Sequence, residues 1–157
     1  MMKNIENNRG FTLTELMIVI SIIGLLAILT LPGYNKFMAN WRLNGDTQEL
    51  ATALRTARST AVMKNIDVVF EFDPDTQTYS YFEDEDGSGS RGSDEYLSAI
   101  HEMSPDVRIA GHTFSGTVLT FGGKGNTRES GSITLRNVHN KIKDVVIFGG
   151  TGNITID

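Results

Sequence analysis

An apolar stretch near the start of the chain constrains its fold more than any other feature. The segment 11–31 contains one charged residue, Glu15, among side chains that are otherwise apolar, small or hydroxyl-bearing. As a helix, a segment of this length crosses a hydrocarbon core of roughly 30 Å. A carboxylate inside such a segment costs roughly 2.5–3.5 kcal/mol on insertion scales, so it is read as functional by default. The sequence therefore predicts a membrane helix in which Glu15 needs a partner.

The residues on either side indicate that this stretch is retained. A polar head with Lys3 and Arg9 precedes it, and such a head also occurs in secretory signal peptides. However, residues 31–35 read Leu-Pro-Gly-Tyr-Asn, which contains no small-x-small cleavage site. The helical pattern also continues beyond the apolar run. Both features favour an anchor that stays in the mature chain.

Composition limits the functions that the rest of the chain can have. The residues beyond the apolar segment number about 120, enough for one domain with its own core. The formal net charge is −5, whereas binding to nucleic acid needs a basic patch, so no nucleic acid partner is expected. The absence of cysteine excludes disulfides and thiolate metal sites.

The start of the apolar stretch carries a specific motif. Residues 10–16 read Gly-Phe-Thr-Leu-Thr-Glu-Leu and resemble the prepilin cleavage and methylation motif of type IV pilins and type II secretion pseudopilins. The resemblance implies that residues 1–10 are a leader. A prepilin peptidase would cut between Gly10 and Phe11 and methylate the new amine of Phe11. Glu15 would then pair with the N-terminal amine of a neighbouring pilin or pseudopilin in a helical filament.

The charges of the leader predict an orientation in the membrane. The resemblance implies a bacterial inner membrane, with the N-terminus in the cytoplasm and the C-terminal domain in the periplasm. The basic residues of the leader agree with this orientation under the positive-inside rule. An ordinary single-span anchor with an incidental glutamate is the alternative.

The helical pattern extends to about residue 64. We expect a transmembrane or filament-core half at 11–31 and a periplasmic amphipathic half at 32–64, with a kink or a locally melted turn at Pro32. Asn65 is a plausible helix end. One stripe of apolar or small residues in the second half repeats at steps of three and four and is expected to face a sheet: Leu43, Thr47, Leu50, Leu54, Ala57 and Ala61.

From residue 66 the period changes to two, which predicts a β-domain over 66–157. Residues 67–73 and 78–83 form a hairpin around the turn 74–77, in which Asp73 and Asp75 are turn formers. Further strands are expected at Tyr96–Glu102, Val107–Ala110, Thr117–Phe121, Ser132–Val138, Asp144–Phe148 and Asn153–Ile156. The prediction is a pilin-like α+β fold, a long N-terminal helix packed on an antiparallel β-domain of about seven to eight strands.

Features of the β-domain resemble one branch of the superfamily, the H-type minor pseudopilins and FimT-type minor pilins. These are the helix end Leu54–Ala61, the acidic Gly/Asp loop, the Glu-Tyr-Leu strand at 95–97, the segment Phe121–Gly125 and a final hairpin through Gly152. The resemblance implies a non-enzymatic minor pseudopilin of the type II secretion pseudopilus. The alternative is a minor pilin of a type IV pilus, which primes assembly or takes up DNA.

One departure from that branch affects the DNA function. DNA-binding members carry a Gly-Arg-x-Arg pattern on the last hairpin, and the matching positions here begin at Gly152. Asn153 and Thr155 replace the two expected arginines. The sequence therefore predicts no DNA-binding residues at these positions.

The acidic loop has the spacing of a calcium loop. Oxygen donors lie at loop positions 1, 3, 5, 7 and 12, where calcium loops carry their ligands, and glycine lies at position 6. The candidate ligands are Asp84, Asp86, Ser88, Ser90 and Glu95. Arg91 at position 8 and the strand-like flanks depart from an EF-hand. A solvated hairpin tip with fortuitous spacing is the alternative, and no other cofactor is predicted.

The remaining chemical candidates have simpler structural explanations. His101, His112 and His139 show no ligand spacing to one another, and no serine lies in a nucleophile elbow. The segments 120–126 and 147–153 repeat a Phe-Gly-Gly-x-Gly-Asn pattern, but neither opens a helix as a phosphate-binding loop does. Both are predicted to be turns.

Overall fold

The computed structural model describes residues 10–157, without the side chains of residues 29–32. The leader predicted at 1–10 lies outside this part except for Gly10. A helix, α1, spans Leu13–Lys64. The described residues fall into two compact units, one ending at Phe37 and the other covering Met38–Asp157, and each is considered by itself.

The N-terminal unit consists of the first part of α1. Large apolar side chains from Leu16 to Ile28 are exposed along it. Within residues 10–157 no single helix meets the requirements for a membrane span, whereas the bent pair Leu13–Ile28 and Gly33–Lys64 meets them by length and composition alone. A kink was expected at Pro32. The side chain of Pro32 lies outside the described part, so this kink stays a prediction.

The C-terminal unit contains the second half of α1 and all of the strands. Every residue of the predicted helical stripe is buried, from Leu43 to Ala61. Thr47 fits in this apolar stripe because its hydroxyl donates to the carbonyl of Leu43 at 2.6 Å. A polar group that is hydrogen-bonded in this way avoids the cost of burial without a partner.

The helix ends where the sequence predicted. Asn65 follows the last helical residue with a φ of 55°, the left-handed conformation that commonly terminates helices. The amide of Ile66 then donates to the carbonyl of Ala61 at 3.3 Å. This six-to-one bond is the defining contact of a Schellman motif, and it turns the chain directly into the first strand.

The described residues contain eight strands, which form two antiparallel sheets. The first sheet has the order β3-β2-β1-β5 and the second the order β4-β6-β7-β8. Their bounds are β1 Asp67–Asp73, β2 Thr78–Asp84, β3 His101–Glu102, β4 Val107–His112, β5 Val118–Phe121, β6 Gly131–Asn137, β7 Ile142–Phe148 and β8 Asn153–Ile156. The predicted fold class is confirmed.

The first hairpin has its strands and its turn where they were predicted. Phe70 of β1 lies opposite Tyr81 of β2, and the pairing runs through to Asp73 opposite Thr78. Oδ1 of Asp73 accepts the amides of Asp75 at 2.8 Å and Thr76 at 3.3 Å. These bonds, the one from Asp75 first, lower the pKa of Asp73. Asp73 is thus confirmed as a turn former.

The strand predicted over Tyr96–Glu102 is wrong for most of its length. Leu97 makes only an isolated bridge to Phe82, and regular pairing is limited to β3. The hydroxyl of Ser98 accepts the amide of Tyr81 and donates to the carbonyl of Ala99, so side-chain bonding interrupts the ladder. The edge position of this segment in the sheet allows such a break.

A single core joins the helix to both sheets. It contains the α1 stripe, the inward residues of β1 and β5 in the first sheet, and those of β4, β6 and β7 in the second. Tyr79 is buried between Phe70 and His101, with ring-centroid distances of 5.7 and 5.1 Å. Tyr79 therefore packs in the core.

Candidate functional site

The residues expected at the processing site lie exposed at the start of α1. Phe11 is 87% exposed, and the space around the α-carbon of Gly10 is open. A peptidase that cuts between two residues needs access to both backbones. Gly10 and Phe11 meet this condition in the described chain.

Glu15 caps the first turn of its own helix. Its Oε2 accepts the amide of Thr12 at 2.9 Å and the hydroxyl of Thr12 at 2.9 Å. In return the amide of Glu15 donates to the Thr12 hydroxyl at 3.3 Å. This reciprocal arrangement is a capping box, which satisfies amides that a helix N-terminus otherwise leaves unpaired.

Thr12 is a residue that sequence reasoning missed. The Thr-x-x-Glu spacing of Thr12 and Glu15, placed just before an apolar run, is the known sequence pattern of a capping box and could have revealed it. The consequence is chemical: in the described chain the Glu15 carboxylate is bonded to Thr12 at the helix start. A neighbouring amine would therefore have to share or replace these bonds.

The acidic loop brings together three of its five candidate ligands. These are Asp84, Asp86 and Glu95. Each contributes one carboxylate oxygen, and the three oxygens lie within 4.8 Å of one another. Asp84, the last residue of β2, is only 4% exposed. Glu95 holds the loop closed, since its Oε1 accepts the amide of Glu85 at 3.0 Å and its Oε2 accepts the amide of Gly92 at 2.6 Å.

Of the two serines among the candidate ligands, Ser88 uses its side chain to bond the backbone of the other, Ser90. The hydroxyl of Ser88 donates to the carbonyl of Ser90 at 2.8 Å and accepts the amide of Ser90 at 3.2 Å. Asp86 accepts the amide of Ser88 at 2.9 Å. Hydrogen bonding by Ser88, its side chain first, lowers the pKa of Asp86 and keeps this carboxylate charged.

The last hairpin is held against the helix by Arg58. Its Nε donates to the carbonyl of Gly125 at 2.8 Å, and a terminal nitrogen donates to the carbonyl of Thr151 at 2.9 Å. The two similar glycine segments of the sequence are thus both turns, as predicted, and one arginine connects them. Asn153 is exposed on the hairpin, and Thr155 is half-buried.

The histidines do not form a metal site in the described residues. His101 contacts Glu49 through Nδ1 at 2.9 Å and stacks on Tyr79. His112 lies edge-on against Phe72 at 5.1 Å. The acidic loop is the one cluster of potential metal ligands found within residues 10–157.

Comparison with known proteins gives two family matches. The model of the type II transport protein GspH matches residues 46–152, which contain the last part of α1 and most of the β-domain. The model of the prokaryotic N-terminal methylation motif matches residues 6–31. The two matches together cover the processing motif, the apolar helix and the β-domain.

Individual relatives and solved structures agree with these matches. The chain is 32% identical to a fimbrial protein of Pseudomonas aeruginosa over 119 residues, which cover 71% of this chain and 77% of that protein. The minor pseudopilin EpsH of Vibrio cholerae superposes with a TM-score of 0.60 at 10% identity, covering 74% of this chain and 96% of the solved one.

A second solved structure has the same fold. The type IV minor pilin FimU of Pseudomonas aeruginosa superposes with a TM-score of 0.62 at 18% identity, covering 77% of this chain and 92% of the solved one. At such identities the two structural matches establish the fold, whereas the family model and the fimbrial relative establish descent. The chain therefore belongs to the family of the type II transport protein GspH, the H-type branch of the type IV pilin and pseudopilin superfamily.

Proposed function

We propose that this chain is a structural subunit, a minor pseudopilin of the type II secretion pseudopilus. The observation that carries the proposal is the presence of both family matches in one chain, GspH over 46–152 and the methylation motif over 6–31. Members of this family and fold are structural subunits. Such a subunit must pass through three steps: processing by a peptidase, storage in the membrane before assembly, and incorporation into a helical filament.

The first part of α1 supports the storage and assembly steps. Several of its large apolar side chains, among them Leu16, Ile18 and Leu25, are more than half exposed. Exposed apolar surface of this extent is stable in lipid or against apolar helices of other subunits. The proposed location is therefore the bacterial inner membrane, with the N-terminus cytoplasmic and the β-domain periplasmic, followed by transfer into the filament.

The processing step is assigned to the exposed pair Gly10 and Phe11. We expect a prepilin peptidase to cut after Gly10 and to methylate Phe11. Replacing Gly10 with a bulkier residue, as in Gly10→Val, should leave an uncut precursor, because the side chain would obstruct the peptidase at the cleaved bond. Electrophoretic mobility and the N-terminal mass of the protein, expressed with its peptidase, measure the effect.

Gly24→Ala is the matched control, since this glycine lies in the same helix and has open space for a methyl group. It should be processed like the wild type. If Gly10→Val yields a mature N-terminus at Phe11 with methylation, the assignment of the processing site is refuted.

A minor pilin of a type IV pilus is the second candidate. The fimbrial relative, at 32% identity, favours it. The chain has no cysteine, so a single Ile18→Cys substitution in the exposed apolar helix gives one defined position for crosslinking to helix neighbours in assembled filaments. Neighbours identified by mass spectrometry as secretion pseudopilins support the first candidate. Neighbours identified as pilins support the second.

A further inference from the structure

The acidic loop between β2 and β3 has a feature that its own hydrogen bonds leave unexplained. Asp84 is 4% exposed, and its two carboxylate oxygens differ in environment. Oδ2 accepts the amide of Gly89 at 2.9 Å. Oδ1 is buried and has no hydrogen-bond partner among the described residues. A buried carboxylate oxygen without a partner is costly, so a bound ion or a water molecule is expected beside this atom.

The surroundings of Asp84 are strongly negative. Asp86 and Glu95 each place a carboxylate oxygen within 4.8 Å of the others in the cluster. Asp67 lies directly opposite Asp84 in the β1–β2 ladder, and like charges in that position repel. None of the ion pairs formed by residues 10–157 reaches the cluster, because Arg42 and Lys64 pair with other carboxylates. The imidazole of His101 contacts Glu49 and not the cluster.

From this geometry we propose that the loop binds one calcium ion through the carboxylates of Asp84, Asp86 and Glu95. Ligand oxygens on opposite sides of Ca²⁺ are about 4.6–5.2 Å apart, twice the Ca–O distance, so the cluster lies within reach of one ion. Calcium accepts carboxylates together with backbone carbonyls and water in flexible geometry. The loop supplies three charged ligands and leaves further positions for its carbonyls and for water.

Calcium at this position has a mechanical consequence. Asp84 ends β2, whereas Glu95 directly precedes the segment that returns to β2 through the Phe82–Leu97 bridge. One ion held by both residues therefore connects the two ends of the loop. Gly87 and Gly89 have positive φ, a backbone conformation that strains other residues. Glycine also leaves the backbone of the loop flexible, and a bound ion would restrict that flexibility. This inference is independent of the proposed place in the pseudopilus.

The test uses the full chain in detergent, freed of metal with EGTA and titrated calorimetrically with CaCl₂. The expected result is one site with a Kd on the order of 10⁻⁴–10⁻³ M, the range of extracellular calcium modules. Saturating calcium should also raise the thermal unfolding midpoint by about 2–5 °C, because the ion binds the folded state. MgCl₂ in place of CaCl₂ should give a weaker response, since Mg²⁺ requires stricter octahedral geometry.

Two matched variants locate the site. Asp86→Asn retains the oxygen that accepts the Ser88 amide but loses the charge, and it should weaken calcium binding at least about tenfold, since affinity follows ligand charge. Asp94→Asn removes one charge from the same loop outside the cluster and should bind within about twofold of the wild type. Without calcium, Asp86→Asn should unfold at or above the wild-type midpoint, because repulsion is relieved.

Three results would overturn the proposal. The first result concerns the wild type at a calcium concentration tenfold above the weakest expected Kd, which is about 1 mM. It is the absence of both binding heat and a shift of the thermal unfolding midpoint. The second is equal weakening by Asp86→Asn and Asp94→Asn, which would indicate diffuse attraction. The third is an equal response to magnesium, which would contradict a calcium site.

Discussion

Gly152 has a backbone environment that strains any residue with a β-carbon. Its φ is +61°, and a methyl group on its α-carbon would lie 1.9 Å from the carbonyl oxygen of Gly125. The same methyl group would lie 2.9 Å from Nε of Arg58. At this residue the last hairpin crosses the turn after β5. Arg58 donates hydrogen bonds to both segments, to the carbonyl of Gly125 in the turn and to that of Thr151 in the hairpin. The close approach of two backbones therefore requires glycine.

Gly152→Ala should destabilise the folded domain by about 3 kcal/mol or more, combining overpacking with left-handed strain. The measurement is the free energy of unfolding from urea denaturation followed by far-UV circular dichroism. Gly150→Ala is the control, because that glycine has open space and no positive φ. Equal stability of the two variants would contradict the close approach.

At the scale of the element, α1 carries two different surfaces. Its C-terminal half buries the stripe from Leu43 to Ala61 against both sheets. Its first part, from Leu16 to Ile28, exposes large apolar side chains instead. The C-terminal half of the helix thus packs in the domain core. The first part has an apolar surface that suits contact with lipid or with neighbouring subunits.

Leu50→Ala should lower the thermal stability of the β-domain, because Leu50 is fully buried in the core. Removing such a side chain costs about 2–5 kcal/mol, depending on how far the cavity collapses. Thermal unfolding of the full chain in detergent measures the loss. Gln48→Ala, at an exposed position on the same helix, should stay within about 0.5 kcal/mol of the wild type. A Leu50→Ala protein as stable as the control would show that the stripe does not hold the domain.

For the whole molecule, the residue that we expect to dock the subunit into the filament, Glu15, also caps its own helix. The capping box between Thr12 and Glu15 means that Glu15→Ala removes both a charge and a helix cap. A defect of this variant in assembly would therefore have two explanations. Glu15→Gln separates them, because glutamine also serves in a capping box but carries no charge.

Both variants should be cleaved, since Gly10 and Phe11 are unchanged, and both should enter filaments at least about tenfold less than the wild type. The reason is that removing one partner of a buried ion pair costs about 3–5 kcal/mol. Immunoblots of sheared filaments against total processed protein measure incorporation. Normal incorporation of Glu15→Gln with failure of Glu15→Ala would assign the residue to helix capping instead of docking.

The sequence by itself determined the features that depend on neighbouring residues in the chain. The spacing of Leu43 to Ala61 predicted the buried face of α1, Asn65 predicted its end, and Asp73 predicted the first turn. The glycine, phenylalanine and glutamate at 10, 11 and 15 predicted the type IV pilin and pseudopilin superfamily, and the methylation-motif match over residues 6–31 agrees. These features follow from helix and strand periods and from local hydrogen bonding, which a short window of residues contains.

Only the tertiary structure decided features that join distant parts of the chain. It placed β5 beside β1 and β4 in the other sheet, reduced the predicted strand 96–102 to β3, and connected two glycine turns through Arg58. It also left Oδ1 of Asp84 buried without a partner in the described residues. Periodicity fixes which face of a strand is apolar but not which strand lies beside it, because pairing depends on contacts across long loops.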